Sequence, residues 1–128
     1  MSNFTPNKNV YQDMFNFEKN YWWYQGLREN LNFYIKKFKP AKILDAGCGT
    51  GANMLELKKI TSEIYGVDIS AEAISIAKKN NLKNLYKGNL TKLPFEDKKF
   101  SLIYCMDVFG NLNKEDTNKA LIEFNRCL

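Results

Sequence analysis

The sequence contains no histidine at all. That removes the side chain best suited to general-base work near neutral pH and a common nitrogen ligand for zinc. Cysteine is scarce: Cys48, Cys105 and Cys127 are odd in number, far apart and never in a C-x-x-C pair. A metal site is therefore not expected, and reduced thiols in a cytoplasm are the natural reading. No run of about 18 apolar residues occurs, so no membrane-spanning helix is expected. The amino-terminal M-S-N-F-T-P-N-K-N lacks the apolar core of a signal peptide. No G-K-[ST] occurs, which excludes a P-loop. Repeats, linkers and low-complexity tracts are missing too.

What remains is a chain of 128 residues, 45% hydrophobic and 14% aromatic, enough for one domain with a real core. The net charge is +5. A basic balance can mean nucleic acid, but the lysines come as scattered pairs, Lys36–Lys37, Lys58–Lys59, Lys78–Lys79 and Lys98–Lys99. Each pair falls near an expected element end or in a loop. Cations favour helix carboxyl termini, so solvated ends explain them and a nucleic-acid partner is disfavoured.

Lys42–Gly51, K-I-L-D-A-G-C-G-T-G, organises the rest. Ile43 and Leu44 read as a buried strand. Gly47, Gly49 and Gly51 read as a loop where backbone turns sharply and approaches a ligand closely. Asp45 lies inside the apolar run, and a carboxylate there is costly unless it is paired or faces a site. A second carboxylate, Asp68, closes the expected strand Glu63–Asp68. Ligands of parallel sheets sit outside the carboxyl ends of the strands. Ser70 already supplies a helix cap, which leaves Asp68 for a ligand. A third, Asp107, follows the expected strand Phe100–Met106.

In chain order, residues 1–9 read as loose. From Asn9 a stripe of Val10, Met14, Phe17 and Tyr21 predicts an amphipathic helix. After Tyr21–Trp22–Trp23–Tyr24 comes a second stripe, Leu27, Leu31, Tyr34 or Ile35, and Phe38, ended by Pro40. The aromatic run has two readings, packing onto the sheet or a lid over the site. A short helix is expected over Ala52–Lys59, with Met54, Leu55 and Ile60 available for packing. Another starts at Ser70 with Ala73, Ile74 and Ala77 inward and ends at Asn80–Asn81. Leu85–Lys87 reads as a short strand. Asn113 looks like a cap, with Asp116 three residues on, for a last helix burying Ala120, Leu121, Phe124 and Leu128. Right-handed crossovers give strand order 3-2-1-4. The expected class is α/β, a doubly wound parallel sheet. Residues 1–40 form an amino-terminal helical segment or lid, and residues 41–128 form the ligand-binding α/β domain.

D-A-G-C-G-T-G resembles the first motif of class I S-adenosylmethionine-dependent methyltransferases, whose fold is Rossmann-like. The nearest competitor is the nicotinamide fingerprint, which Gly47, Gly49 and Ala52 also satisfy. There, however, a small apolar residue usually stands in place of Asp45, which leaves a nicotinamide-dependent dehydrogenase as the weaker reading. Gly88–Phe95, G-N-L-T-K-L-P-F, resembles the family's adenine loop, with Asn89 where Asp is usual. E-F-N-R-C-L resembles the segment before the family's fifth strand. E-K-N-Y-W-W-Y-Q-G-L-R is similar to an amino-terminal region that covers the cofactor.

The resemblance, over residues 41–128, implies S-adenosylmethionine as cofactor and a small-molecule methyl acceptor. It places Asp45, Gly47, Cys48, Gly49 and Gly51 at the methionine end and Asp68 on the ribose. Ile69 and Leu90 then sandwich adenine, Asn89 reads its edge, Met106 also borders the cofactor, and Arg28 is free to meet a carboxylate. No catalytic residue is assigned; Asp107 and Tyr24 are the candidates. The N-P-P-[YF] signature of amino-group acceptors on nucleic acid or protein is absent, since Asp107–Val108–Phe109–Gly110 stands there. The family's seven-stranded sheet implies that four strands are a truncated one. The run Leu102–Met106 would then offer an edge for self-association or a partner chain. A cofactor-binding but catalytically incomplete fragment or partner subunit is the alternative reading.

Overall fold

The computed structural model describes residues 8–61 and 63–128, so the loose reading of residues 1–9 falls, for 1–7, outside the described residues. Two helices, α1 (Lys8–Asn20) and α2 (Trp22–Phe38), precede a sheet of β1 (Ile43–Ala46), β2 (Ile64–Asp68), β3 (Leu85–Lys87) and β4 (Leu102–Tyr104). Helices α3 (Ala52–Leu57), α4 (Ala71–Lys79) and α5 (Lys114–Cys127) complete it, with a 3-10 turn at Phe109–Asn111. The strands are parallel and ordered β3-β2-β1-β4, as expected.

Alternation along β1 builds two cores. Ile43 points to one face, where Leu31 and Ile35 of α2, Met54 and Leu57 of α3, and Ile74 and Ala77 of α4 pack. Leu44 and Ala46 point to the other, against Leu90, Phe95, Phe100 and the Ala120, Phe124 and Cys127 stripe of α5. Each such aliphatic side chain contributes about 1.5–3 kcal/mol on burial. All four residues of β1 are buried, which fixes its register and therefore where its carboxyl end opens. Asp45, two residues after Ile43, shares the α2–α3 face.

Several boundaries behave as local chemistry dictates. Ser70 Oγ accepts the Ala73 amide and Asn113 Oδ1 accepts the Asp116 amide, two side-chain caps. Asn81 takes the left-handed conformation beyond α4. Helix α3 stops at Leu57, two residues short of the expected Lys59, and β2 begins at Ile64.

Other expectations need correction. Met14, Phe17 and Tyr21 are exposed; α1 instead buries Phe15, because it docks on α3 and α4 through a different face. In α2 the buried residues are Arg28, Leu31 and Ile35, while Tyr34 and Phe38 are exposed. Trp22 and Trp23 are exposed too, so they do not pack the helices onto the sheet. In α5 the covered stripe is Ala120, Phe124 and Cys127, and Leu121 and Leu128 face out. An apolar stripe shows which face is sticky, not whether a neighbour covers it. Strand β4 is shorter than Phe100–Met106 because its ladder runs only along Ile43–Asp45 of β1. Leu102 and Ile103 are half-buried, unlike the residues of a central strand.

Candidate functional site

The loop after β1 is built from three left-handed glycines, Gly47, Gly49 and Gly51, at φ of 82°, 53° and 83°. The Gly47 and Cys48 amides both donate to the Val67 carbonyl, at 2.8 and 3.0 Å, which pins the loop to the end of β2. The glycines serve different ends. A methyl group on Gly47 would meet Val108 Cγ2 at 2.5 Å, and one on Gly51 would overlap Leu82. A side chain at either position would have to displace Val108 or Leu82 and hold a left-handed backbone as well. A methyl group on Gly49 would meet nothing within 4 Å. Its space is open, and its amide donates to Asp68 Oδ2 at 2.8 Å.

Asp68 ties the site together. Oδ1 accepts the Ser70 amide at 2.9 Å, so each oxygen takes one backbone N–H and keeps a lone pair. Its own carbonyl accepts from Gly88, which brings the loop after β3 alongside. In that loop Asn89 Oδ1 accepts both the amide and the hydroxyl of Thr91, leaving its NH2 as the unused group. Leu90 is buried, whereas Ile69 is 67% exposed, an aliphatic face beside Asp68 with no cover. Glu123 and Arg126 hold the far side of the same loop. Glu123 Oε2 accepts the Leu93 amide, and Arg126 donates to the carbonyls of Leu93 and Phe95.

Asp45 is 2% exposed and bonded to Tyr104. The hydroxyl donates to Oδ2 at 2.7 Å across the β1–β4 pairing. Burial pushes the Asp45 carboxyl up to about 7; the Tyr104 bond opposes this, and Asp68 and Glu18 add to it. Burial likewise raises the Cys48 thiol far above its usual range and the Cys105 thiol to about 12. Neither is a nucleophile at neutral pH.

Beyond β4, Asp107 holds a left-handed φ of 61° and accepts the Tyr24 hydroxyl at 3.0 Å on Oδ2. Burial first, and Asp107 second, push the Tyr24 phenol up to about 12. Glu18 is raised by burial, lowered by Arg28 and raised by Asp107. Arg28 is not free: it is 6% exposed and donates to the carbonyls of Glu18 and Lys19 at 2.8 and 2.9 Å. It fastens the end of α1 to α2, and reaches Asn53 Oδ1 at 3.5 Å. Asn53 in turn donates to Met106 Sδ at 3.5 Å. Tyr11 of α1 shares a 2.9 Å bond with Ser70, beside Asp68.

Asp45, the glycine loop with Cys48, Asp68, Ile69, Asn89, Leu90 and Met106 thus gather at the carboxyl ends of the strands. Arg28 stands one residue behind, through Asn53. Sequence reasoning passed over Tyr104, Asn53, Glu18 and Tyr11. The only signal was for Tyr104, a lone hydroxyl in the run L-I-Y-C-M. Among the described residues no group of histidine, cysteine or acidic side chains could hold a metal, and no helix is long and apolar enough to cross a membrane.

A family model described as "Methyltransferase domain" matches residues 44–128. An uncharacterised protein of Methanocaldococcus jannaschii is 40% identical over 86 residues, covering 67% of this chain and 32% of that protein. The ubiquinone biosynthesis O-methyltransferase of Pelagibacter ubique is 33% identical over 85 residues, covering 63% of this chain and 35% of that enzyme. A crystal structure from Methanococcus maripaludis, described as a candidate S-adenosyl-L-methionine-dependent methyltransferase, superposes with a TM-score of 0.80 at 25% identity. It covers 100% of this chain, which spans 63% of that protein. The first three curated relatives are matched over 32%, 39% and 43% of their lengths, so the chain spans well under half of each.

Proposed function

This chain belongs to the class I S-adenosylmethionine-dependent methyltransferase family, and from that premise we propose that it holds S-adenosylmethionine at the carboxyl ends of β1, β2 and β4 for methyl transfer to a small-molecule acceptor. One observation carries the reading: at Gly49 the backbone is left-handed, bonded to Asp68 and open on the side where a Cβ would stand. Such a surface suits close approach of a ligand to the backbone.

The residues present fit the cofactor. The second lone pair on each Asp68 oxygen suits a ribose diol. Exposed Ile69 and buried Leu90 offer apolar faces to adenine, and the Asn89 NH2 can donate to a ring nitrogen. Asp45 and the Gly47–Gly51 backbone, with Cys48, take the methionine end, and Met106 borders it. Arg28 acts on the cofactor only through the helix it fastens. The described part of the amino-terminal segment, residues 8–40, serves as a lid, and residues 41–128 serve as the cofactor-binding domain, in line with the Tyr11–Ser70 contact. A cytoplasmic setting suits the free thiols of Cys48, Cys105 and Cys127.

The bound cofactor supplies a methyl group already activated by its sulfonium. The chain's own work is then to align the acceptor and exclude water, worth several kcal/mol. Tyr24, its phenol pushed up, stays protonated and orients Asp107. Asp107 Oδ1 remains for a proton leaving the acceptor. The absence of N-P-P-[YF] supports a small acceptor, as does the likeness to proteins named as a ubiquinone biosynthesis O-methyltransferase and a demethylmenaquinone methyltransferase. A second reading, a cofactor-binding unit completed by another chain, is favoured by the one-sided pairing of β4.

Calorimetry with S-adenosylmethionine, S-adenosylhomocysteine, NAD and NADP tests the assignment. Binding of the first two is expected, and binding of a nicotinamide cofactor in their place would overturn it. Asp68→Ala should weaken S-adenosylmethionine by about 1.5–3 kcal/mol, the range for bonds to a charged group. Equal affinities of variant and wild type would remove Asp68 from the site.

A further inference from the structure

Asp45 and Tyr104 are direct partners in the β1–β4 register, and both are buried, at 2% and 8% exposure. The 2.7 Å bond occupies Oδ2, while no described residue bonds Oδ1. A buried carboxylate with only one oxygen held is costly unless a ligand meets the other. The groups that act on Asp45, or that it acts on, are Tyr104 of β4 and Cys105 just after it, Cys48 of the glycine loop, Asp68 at the end of β2 and Glu18 of α1. None of these is a cation. The charged group that α2 buries, Arg28, is held by the Glu18 and Lys19 carbonyls.

We propose that Tyr104 is a positioning residue for cofactor capture: by fixing Asp45 Oδ2 across the strand pair, it presents Oδ1 to the ammonium group at the methionine end. The inference rests on the cofactor reading above. The hydroxyl stops the carboxylate turning about its Cβ–Cγ bond and steadies its ionised form. The incoming ammonium then meets Oδ1 directly. The Asp45 proton, where present, leaves to solvent as the ammonium arrives. Tyr104 touches neither the cofactor nor the acceptor in this scheme; it acts through Asp45.

The test uses two nucleosides that share every group except the amino-acid end. S-adenosylhomocysteine and methylthioadenosine are titrated by calorimetry into wild type and Tyr104→Phe, from about pH 6 to about pH 8, across the range where Asp45 changes charge. In the variant, S-adenosylhomocysteine should bind about tenfold more weakly, the scale of one bond to a charged group. The pH midpoint of its binding should also move upward, because the bond that favours the carboxylate is gone. Methylthioadenosine should bind both proteins alike. An equal loss for both nucleosides would reduce Tyr104 to a packing residue and overturn the proposal. So would an unchanged affinity and pH profile. Should Tyr104→Phe fail to fold, wild type is compared with Asp45→Asn: S-adenosylhomocysteine affinity must fall on acidification through about pH 7 in wild type only. A flat wild-type profile would overturn the idea. Wild type that binds neither nucleoside would instead defeat the cofactor reading on which it rests.

Discussion

A methyl group added at Gly49 would enter open space, whereas one at Gly51 would run into Leu82. The same substitution should therefore have opposite signatures at the two positions. Gly49→Ala pays only the left-handed backbone strain, roughly 1–2 kcal/mol; it should stay folded by circular dichroism and lose cofactor binding. Gly51→Ala must displace Leu82 and is expected to lose a further ~1–3 kcal/mol in urea denaturation. Normal binding by the Gly49 variant would show that the ligand lies elsewhere. Asp45 gives a second residue-scale prediction. Its folded-state carboxyl titrates near 7 against 3.8 when unfolded, so the folded protein holds the extra proton. The associated stability is fully present below pH 3.8 and is lost as pH rises through about 7, by at most ~4 kcal/mol. Asp45→Asn should flatten that slope and be the more stable protein at pH 8. An unchanged slope would mean that Asp45 is already ionised in the empty protein.

At the scale of elements, the devices that hold α1 include buried Phe15, the Tyr11–Ser70 bond, and the Arg28 guanidinium on two carbonyls at the end of α1. The guanidinium fork suits two divergent carbonyls, and an ammonium does not. Arg28→Lys should leave the sheet intact and loosen α1. Amides of α1 should exchange faster with deuterium, while those of β1 and β2 keep their protection. Equal acceleration everywhere would mean that Arg28 supports the whole fold and not the helix. The loop that carries Asn89 and Leu90 depends on α5 in the same manner, through Glu123 and Arg126.

For the molecule as a whole, charge and edges matter most. A chain of net charge +5 gathers Asp45, Asp68, Asp107 and Glu18 around one opening, a field that favours a cationic ligand. Among the described residues β4 pairs with β1 alone, and Leu121 and Ile122 of α5 and Leu128 just after it are exposed. An unpaired apolar strand is a template for another chain. Light scattering at micromolar concentration should therefore give a mass above the 14.9 kDa of one chain. A stable monomer with strongly protected β4 amides would show that the chain covers its own edge.

What the residues determined alone is local and covalent in origin. Glycine spacing after Ile43 and Leu44 requires a strand–loop–helix turn, and carboxylates at strand tips need a partner or a site. The parallel order then follows from right-handed crossovers, and the caps at Ser70 and Asn113 from side-chain reach. That the candidate residues gather at the strand ends was legible to the same depth, because they follow strands in sequence. Tertiary structure decided what depends on neighbours far away in the chain. Met14 and Phe17, like Leu121 and Leu128, lie on apolar stripes, yet burial went to Phe15 and to Cys127, where a docking surface exists. Arg28 looked available, but the carbonyls at the end of α1 claim it. Tyr104 reaches Asp45 only because β4 pairs with β1 in that register. A side chain's chemistry is written in its own residue, whereas its partner is chosen by the packing that brings a distant residue within about 3 Å.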